Sequence, residues 1–263
     1  MSDNEPIRYS LEDGIATITI DRPARKNALS VEAMNGLTNA WERVERDSQA
    51  RVVILTSADC GVFSAGLDLR QAAEIRARDG VDILTLMRDP MQTAMRTVSK
   101  PIIAAINGDA IGLAATHALL CDITVMAEDA RIGDTHVSRV GLVAGDGGTV
   151  IWPLLIGINK AKEFLIRGTL LKGNEAERIG LVNHVAPRAE VLAKARAIAI
   201  ELANGPTWAI RWTKLSINQI VKERVNMLLE ASMALEQVTF ETADHKEATM
   251  SFKEKRKPRF GQG

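Results

Sequence analysis

Two cysteines, Cys60 and Cys121, are all that the 263 residues contain. They stand alone, which excludes a disulfide framework and a C-x-x-C motif and fits a reduced, cytoplasmic setting. Net charge is equally scarce: 33 basic residues cancel 33 acidic ones. No overall basic field exists to attract a nucleic acid. No apolar run approaches the ~18–20 residues that span a bilayer, so no membrane partner is expected. The opening Met1-Ser-Asp-Asn-Glu-Pro6 is polar and acidic, unlike a signal or transit peptide. Internal repeats and low-complexity segments are missing too. What is there is an ordinary globular composition. The length suits one large domain, or a domain with an appendage, and can bury a sizeable core. One basic cluster, Lys253 to Arg259, breaks the balance. It reads either as a solvated tail or as a contact for an anion or a second subunit.

The hydrophobic pattern gives an alternation of strands and helices. Ile7–Leu11 and Ile15–Ile20 alternate as strands around an Asp13-Gly14 turn. Arg22 to Asn27 is a basic loop. Ser30 can cap a helix to about Arg46, with Val31, Met34, Leu37, Trp41 and Val44 at helical spacing. Arg51–Thr56, Pro101–Ile106 and Ile123–Met126 are β-branched or apolar runs of the buried-strand kind. Residues 70–98 read as helical with breaks at Gly80 and Pro90. Gly112–Leu120 and Thr149–Ile156 read as helices, the second after a glycine-rich turn at 140–148. After Val182–Val185 the strands stop, and the chain is helical from Ala189 apart from Gly205-Pro206. Strand, loop and helix in this recurrence imply α/β units with crossovers. In the last long helix Val221, Val225, Leu228, Leu235 and Val238 form a stripe. It packs either on the chain's own core or on a partner subunit.

Two separated segments carry the chemistry, Phe63-Ser-Ala-Gly-Leu-Asp-Leu69 and Asn107-Gly-Asp-Ala-Ile-Gly-Leu113. Each puts glycine and small residues where a strand gives way to a helix. Such loops fall at one end of neighbouring strands, where α/β ligand sites form. Gly112-Leu113 at a helix start offers an N–H donor, a positive dipole end and close backbone approach. Gly66-Leu67 offers a second donor. Two donors aimed at one carbonyl make an oxyanion hole, and losing one typically costs about 3–4 kcal/mol of barrier. Either loop alone also reads as an ordinary turn.

The ordered set of Lys100-Pro-Ile-Ile-Ala-Ala-Ile-Asn-Gly108, Cys121-Asp-Ile123, Ala127-Glu-Asp-Ala-Arg131 and Gly147-Gly148 resembles the enoyl-CoA hydratase/isomerase (crotonase) family. Arg22-Pro23, Asn27-Ala-Leu29, Phe63 to Leu69, Gly180-Leu-Val-Asn183 and Phe252-Lys-Glu-Lys-Arg256 extend the likeness over nearly the whole chain. The resemblance implies a spiral of ββα units over residues 1–200 and a helical oligomerisation region over 201–263. It further implies a homotrimer or a dimer of trimers. An acyl-CoA thioester is the implied ligand, with coenzyme A part of the substrate and no separate cofactor or metal. By motif position the oxyanion donors would be the N–H groups of Leu67 and Leu113. Lys26, Ala65, Gly66, Asp68 and Gly112 fall in segments that line the coenzyme and acyl site. Lys255 resembles a terminal basic residue that reaches the coenzyme phosphates, a sensible pairing of charges. Leucine at both donor positions adds bulk, so the acyl pocket is expected to be reshaped.

The departures concern proton transfer. Hydratases of this family commonly use two glutamates. The first position holds Thr116, which can position water but cannot be a carboxylate base. The second region, Gly133-Asp-Thr-His-Val-Ser-Arg-Val-Gly141, is one residue longer than usual. Counting from its left places His136 at the glutamate position; counting from its right places Val137. His136 is favoured because it can transfer protons near neutral pH. Asp146 lies in a glycine turn that often holds a small residue. With Trp152-Pro153 the run Val143-Ala-Gly-Asp-Gly147 resembles a camphor-diketone hydrolase branch in which a His and an Asp act together. His117 is next to Thr116, but a helix turns its neighbour away, so it reads as core packing; His184 and His245 have no comparable setting.

The leading expectation is a lyase that adds water to, or removes it from, an acyl-CoA. His136 and Asp146 would activate water and move the α-proton. The alternatives are a C–C bond hydrolase of a β-diketone or ring ketone, an enoyl-CoA isomerase, and a non-enzymatic acyl-CoA-binding scaffold.

Overall fold

The computed structural model describes residues 5–80 and 97–261. The expected break at Pro90 lies outside them. Strands β1 (Ile7–Glu12) and β2 (Ile15–Ile20) form a hairpin. Its turn residues Asp13 and Gly14 both take positive φ, as a two-residue hairpin turn requires. Helix α1 (Val31–Arg46) follows, with the Ser30 hydroxyl accepting from the Ala33 N–H at 3.3 Å. It buries Met34, Leu37, Trp41 and Val44, the face that the spacing picks out.

Three coils then share one plan. In the first, β3 (Val52–Ser57) bends into β4 (Val62–Ser64) and enters α2 (Leu69–Asp79). In the second, β5 (Ile102–Ile106) bends into β6 (Asp109–Ile111) and enters α3 (Leu113–Leu119). In the third, β7 (Ile123–Ala127) bends into β8 (Arg131–Gly133) and enters a π-helical turn, His136–Val140. The long strands form one sheet, the short ones a second. The six-stranded sheet runs β1-β2-β3-β5-β7-β10, where β10 is His184–Ala186; all neighbours after β1 and β2 are parallel. The four-stranded sheet runs β4-β6-β8-β9, where β9 is Leu171–Lys172. The chain is thus the α/β spiral of ββα units expected from the resemblance.

The residue-level pattern misses the second sheet. Its members span only two or three residues, too few for any alternation to register. Stacking the three coils brings their helix-entry loops side by side. Those loops are Gly66-Leu67, Gly112-Leu113 and Asp134–His136.

The remaining helices are α4 (Gly148–Ile156), α5 (Ile158–Arg167), α6 (Gly173–Arg178), α7 (Val191–Asn204), α8 (Thr207–Thr239) and α9 (Ala243–Lys253). Helix α7 lies on β3, β5 and β7 and runs across residue 200. Helix α8 is anchored to the spiral by buried Lys214. Its ammonium pairs with Asp122 at 2.8 Å and donates to the Lys100 carbonyl at 2.7 Å. The apolar stripe of α8 divides. Val225 is buried with Leu229 and Val150, and Val221 packs beside them. Leu235 and Val238 are 60% and 66% exposed, so they leave an apolar face on this chain. Among the described residues, no helix is long and apolar enough to cross a membrane.

Candidate active site

The first loop is held in an extended register. Leu29 and Leu67 form a parallel bridge: the Leu29 N–H donates to Gly66 O at 2.8 Å, and the Asp68 N–H donates to Leu29 O at 2.9 Å. In a parallel pairing a residue whose neighbours make the bonds points its own N–H away from the partner. The Leu67 N–H is therefore turned from Leu29. Gly66 has φ +88°, and a Cβ there would lie 2.7 Å from Ile111 O and 3.7 Å from the Leu113 nitrogen. Only glycine lets the two loops meet so closely. In the second loop, the Gly112 N–H donates to Gly133 O at 2.9 Å. Leu113 then opens α3, where a helix leaves its first N–H groups without intrahelical partners. Leu113 is buried, Leu67 half-buried. Thr116, one turn further, is fully buried; its hydroxyl donates back to Gly112 O at 3.4 Å.

The third coil adds side chains. His136 turns inward with its side chain 14% exposed, while Val137 is exposed. Its Nδ1 lies 2.7 Å from Asp134 Oδ1. Its Nε2 lies 3.5 Å from Asp146 Oδ2 and 3.9 Å from Glu236 Oε1, which are ion-pair rather than hydrogen-bond distances. The ring rests on the second loop: a Cβ on Gly112 would lie 3.3 Å from His136 Cε1. Expected partners His136 and Asp146 are thus brought together, with the ring against Gly112.

Burial alone would push the His136 imidazole down. The carboxylates of Asp146 and Asp134, then Glu236, outweigh it and hold the ring well above its ordinary value of 6.5. Burial likewise works against the Asp134 carboxylate, but the His136 charge and hydrogen bonds keep it below the usual carboxylate range. The surrounding carboxylates therefore favour the charged form of the ring. Asp134, His136 and Asp146 each offer a donor atom within 4.8 Å of the others, a spacing that one divalent ion could share. In this structure His136 Nδ1 is engaged by Asp134 Oδ1 at 2.7 Å.

Two members of the cluster escape the sequence argument. Asp134 stands in the Gly133–Gly141 run without a role of its own. Glu236 lies about 100 residues along the chain, on α8. The glycine turn before α4 brings it in. Gly145 lies flush on α8, where a Cβ would meet Ser232 O at 2.5 Å and Glu236 Oε2 at 2.7 Å. Thr149 Oγ1 and Ser232 Oγ share a 2.6 Å hydrogen bond, and the Val143 N–H donates to Thr239 Oγ1 at 3.2 Å. The available signal is that Glu236 continues the inward face of Val225 and Leu229 and is itself buried. An acid on such a face is rarely idle.

The coenzyme candidates lie elsewhere on the loops. Lys26 is exposed, and its carbonyl accepts the N–H of exposed Ala65 at 3.1 Å. Asp68 has a local task. One oxygen caps α2 through the Gln71 N–H at 3.3 Å, and the other pairs with Arg22 at 3.1 Å. Lys255 follows α9, whose opposite end packs on the π-helical turn through His245 Nδ1 and Val140 O, 2.9 Å apart. An 11-residue helix spans roughly 16 Å, so the structure sets Lys255 apart from the His136 cluster. The tail beyond it folds back on α9: Arg256 pairs with Glu247 and Glu254, and the Gly261 N–H donates to Asp244 at 3.0 Å. This is a tied tail rather than a freely solvated one.

The sequence family model for enoyl-CoA hydratase/isomerase matches residues 10–263. The chain belongs to the enoyl-CoA hydratase/isomerase family. It is 35% identical over 250 residues to the putative enoyl-CoA hydratase/isomerase YngF of Bacillus subtilis, covering 92% of this chain and 93% of that one. It is 32% identical to the short-chain-enoyl-CoA hydratase of Clostridium acetobutylicum, covering 94% of each. Among solved structures, an enoyl-CoA hydratase/isomerase from Pseudoalteromonas atlantica superposes with a TM-score of 0.86 at 29% identity, covering 97% of this chain and 100% of the other. As a member of this family the chain is an acyl-CoA-processing enzyme.

Proposed function

We propose that this enzyme is a hydro-lyase that adds water reversibly across the α,β double bond of an enoyl-CoA. The observation that carries the proposal is the contact between the two halves of the site: the His136 ring, flanked by Asp146, rests on Gly112 beside the Leu113 N–H. The thioester carbonyl accepts the N–H groups of Leu67 and Leu113. Asp146 takes a proton from water as the water oxygen bonds to the β-carbon. Negative charge moves to the carbonyl oxygen and is held there. The His136 imidazolium delivers a proton to the α-carbon, and Asp146 returns one to the ring to close the cycle. This sharpens the expectation from sequence: His136 serves as the acid and Asp146 as the base. Thr116, whose hydroxyl hydrogen is directed at Gly112 O, keeps lone pairs with which to position the water.

Lys26 and Ala65 form the coenzyme rim, with Asp68 holding that loop through Arg22. Lys255 supplies a charge for the phosphates. The exposed Leu235 and Val238 support an oligomer, a homotrimer or a dimer of trimers, in which residues 201–263 provide the contacts. The test follows loss of enoyl-CoA absorbance over a panel of acyl lengths. Turnover that His136→Ala greatly reduces is expected; a folded protein inactive on every member would remove the proposal.

One observation favours a second reading. Asp134 on Nδ1 with Nε2 turned toward Asp146 is also the arrangement of a hydrolytic site. It would suit water attack on a ketone carbonyl in the same oxyanion hole, with C–C cleavage. Product analysis separates the two: hydration leaves one thioester a water heavier, whereas cleavage gives two fragments or an opened ring acid.

A further inference from the structure

We propose that Asp134 is the positioning residue of this site: it fixes the His136 ring with Nδ1–H turned into the protein and Nε2 turned toward Asp146. The inference rests on the acid role given to His136 above. Asp134 Oδ1 accepts both the His136 backbone N–H, at 3.0 Å, and the ring Nδ1–H, at 2.7 Å. A turn needs only the first of these. The second bond reaches past the turn to the imidazole and selects its tautomer.

The other oxygen gives an independent argument. Asp134 Oδ2 is buried and, among the described residues, has no hydrogen-bond partner. Burying a carboxylate oxygen in this way is expensive, and the turn itself uses only the other oxygen. The charge is retained because it acts on the ring. The surroundings are shaped to admit it. Oδ2 lies 2.7 Å from where a Gly148 Cβ would stand, and Gly148 opens α4, whose positive end faces the carboxylate.

Other charged groups around the turn are accounted for. Asp146 and Glu236 face Nε2. Arg139 is on the turn itself and is exposed. On α5, Glu163 and Arg167 pair with each other at the surface. On α9, His245 holds the Val140 carbonyl and Asp244 accepts from Gly261. On α3, His117 is buried.

The test compares wild type with Asp134→Asn, which keeps the acceptor oxygen and removes the charge, and with Gly148→Ala, which pushes on Oδ2 from the other side. Nitrogen NMR of labelled histidine should show the His136 ring titrating about 1–3 pH units lower in Asp134→Asn. Because the working form is the imidazolium, the alkaline limb of kcat should fall by the same shift, with KM little changed. Gly148→Ala should move both in the same direction by less, and it keeps the test alive should Asp134→Asn fail to fold. A lower Tm with an unmoved ring titration and an unmoved limb would overturn the proposal and leave Asp134 a structural turn residue. If wild type turns over no enoyl-CoA, the hydration proposal fails separately, and the ring titration alone decides whether Asp134 controls His136.

Discussion

The proposed oxyanion half of the site is made of backbone, and the proposed proton-transfer half is made of side chains. The first needs two short loops, Gly66-Leu67 and Gly112-Leu113, each at a strand-to-helix junction and each marked by glycine at positive φ. The second needs Asp134 and His136 from the third coil, Asp146 from a glycine turn, and Glu236 from a helix that anchors separately through Lys214 and Asp122. The backbone half tolerates leucine at both donor positions, because any residue carries the N–H. The side-chain half has no such freedom, since each carboxylate must face the ring.

The largest effect should come from the side-chain half. His136→Ala removes the acid and is expected to lower kcat by about 10²–10⁴-fold, read with any enoyl-CoA that the wild type accepts. A loss under tenfold would move the acid elsewhere. The backbone half should respond next. Gly66→Ala puts a methyl group against Ile111 O, displacing one donor, and should lower kcat by about 10²–10³-fold. A raised KM with kcat unchanged would mean that the loop merely binds. Glu236→Gln removes a charge 3.9 Å from Nε2 and should cost at least about fivefold in kcat, since roughly 1 kcal/mol is what unit charges exchange at 4 Å in bulk water and this pair is largely buried. Unchanged kinetics would restrict the proton-transfer half to Asp134, His136 and Asp146. The smallest effect belongs to exposed Lys255. Lys255→Ala should raise KM by about twofold to fivefold, in line with the 0.2–1 kcal/mol of an exposed ion pair, and leave kcat alone.

Stability should follow the same cluster. The His136 pKa is raised in the fold. Its contribution is fully present below about 6.5, the unfolded value, and is lost as pH rises through the folded one. The Asp134 pKa is lowered, so its contribution is present above about 3.9 and is lost as pH falls through the folded value. Urea midpoints should therefore drop on the alkaline side in wild type, and His136→Gln should flatten that slope. An equal slope in both would place the titration elsewhere.

Sequence carried the two halves unequally. The Ser30 cap, the hairpin turn at Asp13-Gly14 and the glycine loops are local features whose cause lies within a few residues, and each was legible. The short strands of the second sheet were not, because pairing between coils creates them. His136 and Asp146 were legible as departures from a family pattern. Asp134 carried no signal of its own, since its bond to the ring needs the fold. Glu236 was hidden within an apparent stripe whose Val225 turns inward while Leu235 and Val238 face out.

The most direct test of the account is product analysis after incubation with crotonyl-CoA and longer enoyl-CoA thioesters in isotopically labelled water. The account predicts one product, still a CoA thioester, one water heavier, with labelled oxygen at the β-carbon and labelled hydrogen at the α-carbon. A shifted double bond with no added oxygen, cleavage into two fragments, or no turnover by the folded enzyme would contradict it.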